Sequence, residues 1–124
     1  MINVSRDVFI NMINDSMLEL SKNHIQNLKN VAIIVEDIPS PQQLKLLNVG
    51  KYQTLYGLYE GVPLSKRQGN LKTIPDKITL FKNPIEGGSN NLLELKENIR
   101  HTLWHEIAHY YGLDHQQINL LDQR

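Results

Sequence analysis

Fifteen residues near the end of the chain, HTLWHEIAHYYGLDH at 101–115, constrain its fold more than any other stretch. Five histidines occur in 124 residues, and four of them, His101, His105, His109 and His115, lie here. His105 and His109 are four apart. On an α-helix four steps turn about 400°, so the two imidazoles point within about 40° of each other, one turn apart. Glu106 lies about 100° further round the same helix. A helix continued past Gly112 would leave position 115 about 120° from the His109 direction and at the wrong height. Glycine adopts positive φ past a helix end, so a sharp turn at Gly112 lets His115 swing back. The segment therefore demands a helix that stops at Gly112.

Two imidazoles on one helical face can share a metal ion. A catalytic zinc takes three protein ligands and keeps one open position. His105 and His109 supply two, and the third comes from His115, with Asp114 as a competitor because carboxylates also bind zinc. Glu106 is too far round the helix for an easy third ligand and is placed to hold a water beside the open position. His101, on nearly the same face one turn earlier, is read as a supporting or surface residue. His24 stands alone in a polar stretch and is read as exposed. Trp104, Tyr110 and Tyr111 are read as core aromatics. One of those tyrosines, or Tyr56 or Tyr59, remains a candidate donor to an oxyanion. With 5 histidines and seven glutamates, a shuffled chain shows His-Glu-x-x-His roughly one time in a hundred. Adding the glycine and third histidine lowers that to roughly a few in a hundred thousand, so composition does not account for the string.

The rest of the chain reads as a single domain over 1–124. Val8, Phe9, Met12, Ile13, Met17 and Leu20 make an apolar stripe at helical period, with Ser5 as N-cap and a short continuation through Ile25 and Leu28. VAIIVE at 31–36 is an apolar β-branched run, expected as a strand buried on both faces. PQQLKLL at 41–47 reads as a short helix with Pro41 in its first turn. TLYGLYE at 54–60 and KITLFK at 77–82 read as strands. SKRQGNLKTIP at 65–75, with Lys66 and Arg67 solvated, and NPIEGGSN, which starts at Asn83, read as loops. Asn91 followed by Glu94 resembles a capping box opening a last long helix, with Leu92, Leu95, Ile99, Leu103 and Ile107 as its buried stripe. QQINLLDQ adds one or two final helical turns. The expected fold class is α+β: a small mixed β-sheet packed against helices, with the metal-binding helix near the C-terminus.

Lys+Arg and Asp+Glu both number 13, which gives no basic footprint for nucleic acid and no polybasic patch for a membrane surface. Cysteine is absent, so disulfides, cysteine zinc sites and thiol nucleophiles are excluded together. No charged leader precedes a long apolar run, and no apolar stretch approaches about 20 residues. A cytoplasmic location is the expectation.

Beyond the motif, the chain resembles the small bacterial zincin-like proteins called the minimal metallopeptidase family. "NVAIIVED" (30–37), "LYGLYEGVPLSKR" (55–67), "IPDKITLFKNPIE" (74–86) and "HEIAHYYGLDH" (105–115) look like that family's landmarks in the same order. The resemblance implies a compact zincin-like α+β fold, His105, His109 and His115 as zinc ligands, and Glu106 as general base. Two departures from larger zincins matter. All three methionines, Met1, Met12 and Met17, lie upstream of the motif, so there is no methionine turn after His115. No glutamate follows Glu106, which removes the usual alternative third ligand.

The resulting expectation is a zinc-dependent metallopeptidase that hydrolyses peptide bonds of a peptide or protein substrate through a metal-activated water. The strand TLYGLYE is a candidate to hold an extended peptide at its edge. Two competing readings are a zincin-like zinc-binding module that acts through a protein partner without significant turnover, and a histidine-rich helix with no metal.

Overall fold

The computed structural model describes residues 2–23, 31–46, 55–61 and 76–112. Helix α1 spans Arg6–Asn23 and is opened by Ser5, whose Oγ accepts from the Val8 N–H at 3.2 Å. Its buried face is Phe9, Ile13, Ser16 and Leu20. Their spacing of four, three and four is one helical stripe. Val8, expected in that stripe, is 43% exposed; it lies about 100° from Phe9, off the packed face.

Strand β1, Val31–Glu36, is less buried than its apolar run suggests. The sheet order is β1-β3-β2, so β1 stands at one end of the three described strands and only Val35 of it is buried. Ser40 then opens helix α2, Pro41–Leu46. Its Oγ accepts from the Gln43 N–H, and its own N–H donates to Gln43 Oε1. This reciprocal pair is a capping box built on glutamine.

Strand β2, Gly57–Glu60, runs antiparallel to β3, Asp76–Phe81. β3 runs parallel to β1, with Ile33 opposite Ile78 and Val35 opposite Leu80. The sheet is mixed, as expected. Val35, Ile78 and Leu80 share one face and join the core formed with Phe9, Ile13, Leu95, Ile99, Leu103 and Ile107.

The NPIEGGSN stretch is not all loop. Lys82–Gly87 forms helix α3, because Pro84 falls in the first turn, where its missing N–H is no loss. Ile85 is fully buried. Lys82 Nζ lies 3.1 Å from both carboxylate oxygens of Glu86, and Glu86 Oε2 also accepts from the Val4 N–H at 2.7 Å.

Helix α4, Leu92–Tyr110, begins where Asn91 Oδ1 accepts from the Glu94 N–H at 2.9 Å. Glu94 reaches back one residue further than in a standard capping box, to the Asn90 N–H. Leu95, Ile99, Leu103 and Ile107 are fully buried as expected, whereas Leu92 in the first turn is 56% exposed. The helix packs on α1 and lies over β2 and β3. It ends at Tyr110 with Tyr111 as C-cap, and just past it Gly112 has φ 90° and its N–H bonds back to the His109 carbonyl. Among the described residues no helix is long and apolar enough to cross a membrane.

Candidate metal centre

The last two turns of α4 carry the histidines on the side away from Leu103 and Ile107. His105 and His109 are half-buried, with ring centroids 4.9 Å apart in an edge-to-face arrangement. His101 is exposed, and its ring is 6.4 Å from that of His105. One nitrogen from each of His105 and His109 and one carboxylate oxygen of Glu106 lie within 4.8 Å of one another. Glu106 thus comes closer to the imidazoles than its angle round the helix implies.

Glu106 is only 7% exposed. Burial pushes its carboxyl up to about 7, partly offset by a hydrogen bond from the Tyr59 backbone. That bond is 3.0 Å, from the Tyr59 N–H to Glu106 Oε1. Its origin is in the sheet register. The Phe81 N–H donates to the Tyr56 carbonyl, and Tyr59 pairs with Ile78. In an antiparallel ladder that parity turns the Tyr59 N–H away from β3, toward α4. A peptide added along this edge of β2 would need that donor, which Glu106 already takes.

Gly57 makes the approach possible. A Cβ there would stand 2.6 Å from Thr102 Cγ2 and 3.2 Å from Glu106 Cγ, so only glycine lets β2 come this close to α4. Gly57 and the Tyr59 N–H lie outside the histidine motif. The signal available was an isolated glycine inside a strand pattern, which marks a close backbone approach.

The tyrosines sort by position. Tyr59 Oη donates to Asp76 Oδ2 at 2.6 Å, and its ring meets Tyr110 edge-on at 6.2 Å. The Tyr56 hydroxyl lies against Gly88, whose carbonyl accepts from Asn98. Asn98 is about two helical turns, or 10 Å, before His105. Tyr110 is buried, while Trp104 and Tyr111 pack partly buried against the core. His24, Lys66, Arg67, Asp114 and His115, and the segments 24–30, 65–75 and 116–123, lie outside the described residues.

A half-buried pair of imidazoles one turn apart, beside a buried carboxylate on the same helix, makes a cluster that could hold a metal ion, backed by a small mixed sheet. The chain belongs to the zincin-like metallopeptidase family, whose model matches residues 28–124. A solved structure with the same fold is a conserved hypothetical protein from Thermo thermophilus. It is 16% identical, the match covers 87% of this chain and 94% of that one, and the TM-score is 0.58. No curated protein matches the chain. The family implies a metal, typically zinc, and the donor set fits one. Zinc takes imidazole nitrogen at about 2 Å, and a nitrogen of each of His105 and His109 lies within 4.8 Å of the other and of a Glu106 carboxylate oxygen.

Proposed function

We propose that this protein is a zinc-dependent peptidase, with His105, His109 and His115 as the metal ligands and Glu106 as the general base. The observation that carries the reading is the place of Glu106, whose carboxylate lies within 4.8 Å of a nitrogen of each of His105 and His109. A buried carboxylate beside two imidazoles that would hold the metal is placed to take a proton from a water on the open side and return it, as a general base must. Zinc held there supplies Lewis-acid polarisation of the scissile carbonyl and a lowered water pKa. Glu106 accepts the proton of the attacking water and passes it to the leaving amine. The Tyr59 N–H keeps one carboxylate oxygen fixed while the proton moves. The substrate is a peptide or protein.

The test is cleavage of a diverse peptide library by the zinc-loaded protein, run beside Glu106→Gln. The parent is expected to cleave, and the variant to retain zinc while losing at least about 100-fold in rate. Cleavage by Glu106→Gln at the parent rate defeats the assignment. Stoichiometric zinc with no cleavage by the parent points instead to a zinc-binding module that works through a protein partner.

A further inference from the structure

Asp76 is fully buried and lies outside the proton path described above. It opens β3, and its Oδ2 accepts the Tyr59 hydroxyl at 2.6 Å. The backbone of Gly61 closes over the same carboxylate. Tyr59 is thereby held at three points. Its hydroxyl is held by Asp76, its ring edge meets Tyr110, and its N–H is bound to Glu106 at 3.0 Å.

This arrangement answers a mechanical problem. The terminal torsion of a glutamate is broad and only weakly two-fold, so an unsupported Glu106 carboxylate swings. A donor from a loose strand end would swing with it. Small displacements of a reacting group lower rates strongly, by up to about 100-fold for an ångström. We propose that Asp76 and Tyr59 form a positioning pair for Glu106: Asp76 pins the Tyr59 side chain, and the pinned residue orients the carboxylate through its amide. This inference rests on the reading of Glu106 as general base. Neither residue touches the reacting atoms, and both act through Glu106.

The experiment has two arms on the zinc-loaded protein. The first reads residue 59 directly, as the hydrogen exchange rate of its amide by NMR. Tyr59→Phe keeps the amide and ring but removes the hydroxyl. It is expected to speed exchange at residue 59 by about 10-fold while Ile78 and Leu80 keep their parent rates. Glu106→Ala, which removes the acceptor, is expected to do the same. The second arm reads cleavage of the peptide library. Tyr59→Phe is expected to lower kcat about 10-fold with KM within about two-fold and zinc stoichiometry unchanged. Asp76→Ala should match it, and Asp76→Asn, which keeps an oxygen acceptor, should recover most of the loss. Should Asp76→Ala not fold, Tyr59→Phe and Asp76→Asn decide.

Parent-like exchange at residue 59 in Tyr59→Phe, or parent-like kcat in that variant of an active protein, overturns the pair. If the parent cleaves nothing, the peptidase reading fails on its own, and the exchange arm alone decides whether Asp76 and Tyr59 hold Glu106.

Discussion

Replacing Gly57 by alanine puts a methyl group 2.6 Å from Thr102 Cγ2, inside contact distance on a fully packed interface. The strand or the helix must give way. We expect Gly57→Ala to destabilise the protein by about 1–3 kcal/mol, the usual range for overpacking, measured by urea denaturation. Glu106 carries a second prediction at this scale. Its carboxyl titrates at about 7 in the folded protein against 4.5 when exposed. A raised carboxyl means that the folded state holds the proton more tightly than the unfolded state. The associated stability is complete below about pH 4.5 and is lost as pH rises through about 7. The metal-free protein should therefore lose about 2–3 kcal/mol from this group between pH 5 and pH 8. Urea midpoints of chelator-treated protein at the two pH values test this, and Glu106→Gln should flatten the difference.

Among the elements, α1 and α4 are the two that the sequence reveals most fully, because long amphipathic periods and caps are local properties. Asn91 predicts the start of α4 and Gly112 its end. Asn91→Ala should cost about 1 kcal/mol, the value of a lost N-cap, read as a lower thermal midpoint. Helix α3 is illegible in the sequence for a physical reason. Six residues containing a proline and ending in glycine carry too little period to register as a helix. What holds them is the buried Lys82–Glu86 pair and the bond from Val4 to Glu86, which joins residues 82 positions apart. Lys82→Ala leaves that carboxylate buried without its cation. It should cost about 3 kcal/mol in denaturant unfolding, because an unpaired buried charge is worse than no pair. The apolar run of β1 misleads on similar grounds. It does not say whether a strand will stand at the end of the sheet order.

At the scale of the whole molecule, the proposed metal would bind in one linked equilibrium with folding. An ion that binds only the folded chain stabilises it by about 2.7 kcal/mol at one hundred times its Kd. Zinc should raise the thermal midpoint of the parent, a chelator should reverse the rise, and His105→Ala or His109→Ala should abolish most of it. The same scale separates what is readable in the sequence from what is not. By itself the sequence determined that His105 and His109 face one way and that the helix stops at Gly112, because helical rotation depends only on spacing. It also determined the α+β class, through the order of its periodic segments. Tertiary structure alone decided that Glu106 is buried, that the Tyr59 N–H binds it across 47 positions, and that Thr102 and Glu106 are what Gly57 packs against. Those facts depend on the register of β2 against β3 and on how α4 is rotated over the sheet. No local pattern encodes either, since both are settled by packing between segments far apart in the chain.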